Sequence, residues 1–123
     1  MILNLTQHPA TPDQRAAGVV DLTGEALESL RTALTFGECP SEELVMDRAT
    51  DIACLACQTV QTDYVTQAMI GGALWLMRPL ADELRARGID PVFAFSMRET
   101  IEVMRDGAAV KTTVFRHAGW VPA

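Results

Sequence analysis

The sequence predicts an α/β fold, a Rossmann-like three-layer sandwich with a mainly parallel sheet and a C-terminal β-hairpin. Short apolar runs alternate with segments of helical period, which is the pattern of β-α-β units with parallel strands. Near the C-terminus, Arg105-Asp106-Gly107 separates two β-rich runs and is typical of a hairpin turn. The 123 residues include no long linker and fit a single domain over residues 1–123.

The first β-α-β unit is predicted at the amino end of the chain. Residues 2–5 form an apolar run, and Thr11 followed by Pro12 is typical of an N-cap with proline at the first helical position. This short helix is expected to end near Gly18. Residues 19–22 then supply a second strand.

Two further helices are predicted before the sheet resumes. Thr23 is the expected N-cap of a helix over residues 24–34. Ser41 caps a longer helix that ends at about residue 59, in which apolar residues recur at helical spacing. The opposite face of this longer helix is acidic and is expected to face solvent.

The most informative unit spans residues 63–99. It reads as a strand over residues 64–70, a helix over residues 74–87 closed by Gly88, and a buried strand over residues 91–95. Open α/β sheets bind small molecules outside the carboxyl ends of their strands. The polar and small residues that follow each strand are therefore candidate ligand contacts.

Two of these strand ends suggest an anion site. The Gly71-Gly72 pair would let backbone N–H groups approach a phosphate beside a helix N-terminus, although a tight turn explains the pair equally well. Ser96 and Arg98 supply a hydroxyl and a guanidinium that could hold a phosphate. The alternative role for Arg98 is a surface salt bridge to Glu99 or Glu102.

Further candidates lie at the end of the first strand and on the terminal hairpin. Thr6, Gln7 and His8 follow the first strand, and His8 could act as a proton carrier or could equally cap a helix or face water. Lys111 belongs to a basic strand that could flank a ligand or form a solvated face. The sequence has no complete GxGxxG pattern and no Walker lysine, which argues against ordinary dinucleotide and P-loop sites.

Charge and composition limit the classes of partner that the chain is expected to bind. A formal net charge of -6 disfavours general binding to duplex nucleic acid, and the basic residues of the last third favour an anionic ligand there. No apolar run is long enough to cross a membrane. Three cysteines without a signal sequence favour the cytoplasm. Cys54 and Cys57 have metal-ligand spacing but are interpreted as small buried thiols, so no metal or cofactor is predicted.

Both ends of the chain and its central unit resemble small single-domain CRISPR-associated proteins with a CARF-type Rossmann fold. Residues 23–60 match nothing in that family. The opening Leu3-Asn4-Leu5-Thr6-Gln7-His8 with Thr11-Pro12-Asp13-Gln14 is also similar. The main motifs are Met69-Ile70-Gly71-Gly72, Arg87-Gly88-Ile89, the run from Pro91 to Glu99, and the ending from Asp106-Gly107 through Val110 to His117.

The resemblance implies a homodimer that binds a cyclic oligoadenylate, the second messenger of type III CRISPR antiviral defence. Some relatives are metal-independent ring nucleases, in which a ribose 2′-hydroxyl attacks the adjacent phosphate. On this reading Ser96 and Arg98 hold or activate the scissile unit. The ligand-binding residues are then Gly71 and Gly72, which cradle phosphate, Thr6, Gln7 and His8, which line the pocket, and Lys111.

Two alternatives and two conflicts accompany this reading, and the first conflict is that the net charge is acidic for a protein that binds a polyanionic ring. The protein could be a non-catalytic cyclic-nucleotide sponge or sensor from a phage or mobile element. It could instead be a small α/β interaction protein that assembles through its C-terminal hairpin and binds no nucleotide. Trp75 stands early in the helix after the glycine pair, where its bulk could crowd a phosphate.

Overall fold

A computed structural model describes residues 1–60 and 65–123. In the described residues, strands and helices alternate through most of the chain before two long strands end it. The strands are β1 (Ile2–Asn4), β2 (Val19–Asp21), β3 (Gln67–Met69), β4 (Asp90–Arg105) and β5 (Ala108–Pro122). The helices are α1 (Pro12–Ala16), α2 (Gly24–Leu34), α3 (Glu42–Val60) and α4 (Leu74–Ala86).

The sheet has five strands in the order β2-β1-β3-β4-β5. The first four in this order are parallel, and β4 pairs with β5 as an antiparallel hairpin. The prediction of a mixed α/β fold with a mainly parallel sheet and a terminal hairpin is therefore confirmed. From β1 the chain first passes to one side, to β2, and then returns past β1 to β3, so the strand order reverses between β1 and β3.

The two faces of the sheet are covered unequally. Leu3 of β1 and Ala68 of β3 face the main core, where they pack with apolar residues of α2, α3 and α4. On the opposite face Ile2, Met69 and Val92 form a smaller cluster with Ala10, the residue before the N-cap of α1. Helices on opposite faces are what crossovers of one hand require when the strand order reverses. On the face that bears the smaller cluster, the helix is α1, which is only five residues long.

Local sequence signals placed the helices well. Thr11 and Gln14 form a complete capping box at the start of α1, with Pro12 at the first helical position. The Ser41 hydroxyl accepts a hydrogen bond from the Leu44 backbone N–H at 3.1 Å, as an N-cap does. Gly88 follows α4 with a φ of 76°, the left-handed conformation that favours glycine. The strand predicted to begin at Tyr64 is observed over Gln67–Met69, and Tyr64 itself lies outside the described residues.

The fourth strand is where the sequence interpretation was wrong. It does not end at Phe95, because β4 continues to Arg105 and is mostly exposed beyond Ala94, with Phe95 itself 51% exposed. The chain turns at Asp106 and Gly107, which have φ values of 50° and 77°. Two successive positive φ angles in a two-residue loop define a type I′ turn, which matches the twist of a hairpin.

Two smaller findings concern the cysteines and the membrane. Cys39 and Cys54 are exposed and Cys57 is half-buried, so the interpretation of Cys54 and Cys57 as buried thiols is wrong for Cys54. No helix within residues 1–60 and 65–123 combines the length and apolarity that crossing a membrane requires.

Within residues 23–60, which match nothing in the CRISPR-associated family, Arg48 adds a polar connection to the apolar packing of α2 against α3. From α3, its guanidinium donates hydrogen bonds to the backbone carbonyls of Thr32 and Thr35 at the end of α2. The same group lies 5.0 Å from the centre of the Phe36 ring, a cation–π distance. Arg48 therefore adds a charged donor to the Thr32 carbonyl, which also accepts the Thr35 N–H, and to the carbonyl of the C-cap Thr35, and so connects the end of α2 to α3.

Replacing Arg48 by alanine should lower the free energy of unfolding by about 1–3 kcal/mol, because carbonyls lose a charged donor. Chemical denaturation followed by circular dichroism measures this loss. Arg31→Ala is the matched control, because Arg31 makes an exposed ion pair with Glu28 within α2, at 3.5 Å. This substitution should change the free energy of unfolding by less than about 0.5 kcal/mol. Equal effects of the two substitutions would show that Arg48 does not couple the helices.

Candidate functional site

A pocket of about 420 Å³ opens at the carboxyl edge of the sheet, between the ends of β1 and β3. This is the point at which the strand order reverses, where doubly wound α/β proteins bind their ligands. We refer to it as the strand-end pocket. Its walls are residues 6–9 after β1 and residues 69–72 after β3, completed by Thr11, Gln14, Phe93 and Ala94.

The loop after β1 takes its shape from Asn4, a buried polar residue that is 3% exposed. The Asn4 side-chain carbonyl accepts hydrogen bonds from the Thr6 backbone N–H at 2.9 Å and the Thr6 hydroxyl at 2.7 Å. Its amide nitrogen donates to the His8 carbonyl at 2.8 Å and to Asp21 Oδ1 at 2.7 Å. One side chain thus fixes both ends of the segment that forms one wall of the strand-end pocket.

Asp21, at the end of β2, anchors this network from the neighbouring strand. In addition to the hydrogen bond from the Asn4 amide, its carboxylate accepts hydrogen bonds from the Ala10 backbone N–H at 3.0 Å and from the Arg15 guanidinium at 3.0 Å. Burial raises the pKa of Asp21, but the hydrogen bonds from Asn4 and Ala10 and the charge of Arg15 outweigh it, so the pKa lies below its ordinary value. Asp21 is therefore an ionised partner that connects the loop after β1 to the start of α1.

The opposite wall of the pocket is the turn from β3 into α4. Gly72 has a φ of 132°, a conformation that favours glycine, so the tight-turn explanation holds for this residue. Gly71 has no such constraint, and a Cβ built there would lie 3.5 Å from Thr6 Cγ2. Ala73, the N-cap of α4, makes no side-chain hydrogen bond to the helix. The first turn of α4 thus begins beside the pocket without a side-chain cap.

The electrostatics of the pocket come from dipoles more than from formal charges. Among its described lining residues there is no lysine or arginine, and His8 is the titratable side chain. The N-terminus of α4 contributes a partial positive charge at the edge of the pocket. Arg31 lines a second cavity, of about 230 Å³, to which Gln7 and His8 also belong. A polar or anionic ligand would meet hydroxyl, amide and imidazole groups at this site.

The structure brings together five of the eight residues that the sequence assigned to a site. Thr6, Gln7, His8, Gly71 and Gly72 all line the strand-end pocket. They converge because the ends of parallel strands meet at one edge of a sheet, with Leu5 N–H bonded to the Met69 carbonyl at 2.9 Å.

Ser96, Arg98 and Lys111 lie apart from this group. They belong to the β4–β5 hairpin, in which Ser96 pairs with His117 and Lys111 pairs with Glu102. The Arg98 guanidinium lies 5.6 Å from the centre of the Phe115 ring on the opposite strand. The premise that Ser96 and Arg98 follow a strand end is wrong because β4 continues through them, and within one chain they do not line the strand-end pocket.

The conflict raised by Trp75 does not arise in the structure. Its ring packs edge-on against Phe36 at a centroid distance of 4.8 Å and lines a different groove, formed with residues of α3. Asn4 and Asp21 are the site residues that sequence reasoning missed. The signal in the sequence was weak, since both lie inside the apolar runs predicted as strands over residues 2–5 and 19–22, and the structure shows that they end β1 and β2.

Comparison with protein-family models gives a match over residues 1–121, to the family described as Uncharacterized protein MJ1673 family. Neither the curated proteins nor the solved structures yielded a match.

We expect Asp21→Asn to lower the free energy of unfolding at neutral pH by about 1–3 kcal/mol, because the network loses its charged acceptor. The pKa of Asp21 is lowered in the folded state, so its stabilising contribution is complete above the ordinary carboxyl pKa of about 3.9 and disappears as the pH falls through the lower folded value. Urea unfolding from neutral to acidic pH should therefore show a shallower acid dependence in the variant.

Asp82→Asn is the matched control for this experiment. Asp82 makes an exposed ion pair with Arg85 on α4 at 3.6 Å, a type of pair that contributes little to stability. The account of the network would be contradicted by an Asp21→Asn profile that coincides with the wild type at every pH.

Proposed function

The chain belongs to the uncharacterized protein MJ1673 family, and we propose that it binds a cyclic oligoadenylate in the strand-end pocket and cleaves it without a metal. The domain is then a CARF-type Rossmann fold, as the resemblance to small CRISPR-associated proteins implies. The protein would act on the second messenger of type III antiviral defence in the cytoplasm, an environment that suits its three free cysteines.

The observation that supports binding most is the coincidence of three features at one place. The strand-end pocket lies where the strand order reverses. It is bordered by the first turn of α4, which has no side-chain cap. Helix N-termini attract phosphate through free N–H groups and the helix dipole. Thr6 donates its hydroxyl to Asn4, Gln7 donates its amide nitrogen to the Leu34 carbonyl, and Gln14 accepts the Thr11 N–H at its amide oxygen. The hydroxyl lone pair and the other amide atoms of these side chains suit the hydroxyls and base edges of a nucleotide.

The size of the pocket supports a homodimer. A volume of about 420 Å³ falls in the lower part of the range for drug-sized ligands, roughly 300–1,000 Å³. Such a pocket holds part of an oligonucleotide ring, and a second subunit would hold the remainder. The dimer would place two strand-end pockets around one ring.

Cleavage would use the ring's own nucleophile. A ribose 2′-hydroxyl attacks the neighbouring phosphate, a new 2′–phosphate bond forms, and the 5′-oxygen leaves with a proton. The protein contributes alignment and charge stabilisation. In this proposal His8, which lines the pocket, accepts the proton of the attacking hydroxyl. The roles that the resemblance implies for Ser96, Arg98 and Lys111 stay predictions.

A second candidate is a sponge or sensor that binds the ring and leaves it intact. It is favoured by the position of Ser96 and Arg98, which lie on the hairpin outside the strand-end pocket of their own chain.

Binding can be tested by filling the pocket. Gly71→Leu should abolish cyclic oligoadenylate binding in calorimetry, because the residue tolerates a Cβ and the rest of the side chain would extend into the pocket. Gly37→Leu is the control, since a Cβ there has no neighbour within 4 Å. Unchanged affinity in a folded Gly71→Leu protein would place the ligand elsewhere.

Cleavage can be tested by incubating the protein with cyclic oligoadenylates of several ring sizes in EDTA and separating the products by chromatography. Linear products are expected, and His8→Ala should slow their release by about 100-fold or more while binding is retained. Recovery of intact ring from a protein that binds it would support the sponge. Cleavage lost in Ser96→Ala or Arg98→Ala but kept in His8→Ala would support the roles implied by the resemblance instead.

A further inference from the structure

The β4–β5 hairpin extends well beyond the rest of the sheet. Past Ala94 the two strands pair only with each other among the described residues, from Ser96 opposite His117 to Arg105 opposite Ala108. At about 3.4 Å per residue, this part is roughly 30 Å long. We refer to residues 96–117 as the arm.

The pairing register gives the arm two different faces. Side chains alternate along each strand, and directly paired residues share a face. Two contacts agree with this assignment, Arg116 with Glu99 on one face and Arg98 with Phe115 on the other. The first of these faces, which we refer to as the apolar face, contains Met97, Ile101, Val103, Val110 and Val114.

Within one chain, the described residues do not cover this face. Met97 is 58% exposed and Val110 is 39% exposed, and Ile101, Val103 and Val114 are only half-buried. An isolated two-stranded hairpin is at best marginally stable in water, and an apolar face needs another layer to pack against. The arm thus has the properties of a surface that is covered in an assembly.

Charges at the two ends of the apolar face favour a second copy of the same chain as the cover. At the base, Arg116 lies 3.4 Å from Glu99 and 3.7 Å from Asp13 of α1, so two carboxylates share one guanidinium. At the tip, Arg105 lies on the same face and has no ion pair with any described residue. Two arms packed antiparallel would bring each Arg105 to the acidic base of the other arm.

We propose that the apolar face of the arm packs against the same face of a second copy, with the two arms antiparallel about a two-fold axis. Such an isologous contact is self-complementary by symmetry. A ribbon roughly 30 Å long and about 10 Å wide offers only about 300 Å² of flat area, whereas a standard interface buries about 800 Å² per partner. The partner's α1, which lies at the base of its arm, would enlarge the contact. Because antiparallel arms set the two strand-end pockets about one arm length apart, roughly 30 Å, this contact is distinct from one around a shared ring, and it forms whether or not the pocket binds a nucleotide.

The test is sedimentation equilibrium of the full chain without nucleotide. The wild type should show a concentration-dependent monomer–dimer equilibrium. Ile101→Asp should weaken the dimer by at least about tenfold, because it buries a charge in the apolar face. Thr100→Asp, one residue away on the opposite face, is the matched control and should leave the dissociation constant unchanged. Circular dichroism confirms that both variants keep the α/β fold, from which the arm projects.

A charge exchange tests the antiparallel arrangement. Arg105→Glu and Glu99→Arg should each weaken the dimer, and the double variant should restore it, since opposite charges again meet at both ends. A wild-type protein that stays monomeric at every concentration would overturn the proposal. A dimer that Ile101→Asp leaves intact would also overturn it, because the interface would then lie elsewhere.

Discussion

The hydrogen-bond network of Asn4 and Asp21 is the constraint on which the site depends. A buried amide such as that of Asn4 must satisfy its donors and acceptor, and a half-buried carboxylate such as that of Asp21 is stabilised by partners as well. Asn4 does so with the loop after β1, and Asp21 does so with Ala10 and Arg15 at the start of α1. The network therefore joins the ends of β1 and β2 to the wall of the strand-end pocket. The polar groups that stabilise the loop also leave the side chains of Gln7 and His8 at the cavity.

Topology explains why a cavity exists at this position. The chain crosses from β1 to β2 by α1 and from β2 to β3 by α2 and α3, on opposite faces of the sheet. The connections diverge at β1 and β3 and leave a crevice between the two strand ends. Phe93 and Ala94 of β4 bound this crevice, and the continuation of β4 beyond them forms the arm, so the candidate site lies next to the base of the arm.

The sequence predicted the elements whose signals are local. Thr11, Pro12 and Ser41 mark helix starts by their hydrogen-bonding or φ preferences, and Asp106-Gly107 marks the turn. The strand-end rule brought Thr6, Gln7, His8, Gly71 and Gly72 to one edge. It misassigned Ser96 and Arg98, because polar residues on an exposed ribbon resemble those that end a buried strand. Asn4 was missed because its hydrogen-bond partners, which include Asp21, are brought to it only by the tertiary fold. The hydrogen bonds of Arg48 to the carbonyls at the end of α2 likewise join residues that are distant in sequence.

The central claim is that a ligand binds between residues 6–8 and the turn at Gly71 and Gly72. An NMR titration of the ¹⁵N-labelled protein with a cyclic oligoadenylate tests it most directly, because each backbone amide reports its own surroundings. Saturable shifts should concentrate at Gln7, His8, Gly71, Gly72 and the first turn of α4. Saturable shifts confined to α3 or to the arm, or no shifts at a saturating ring concentration, would contradict the account.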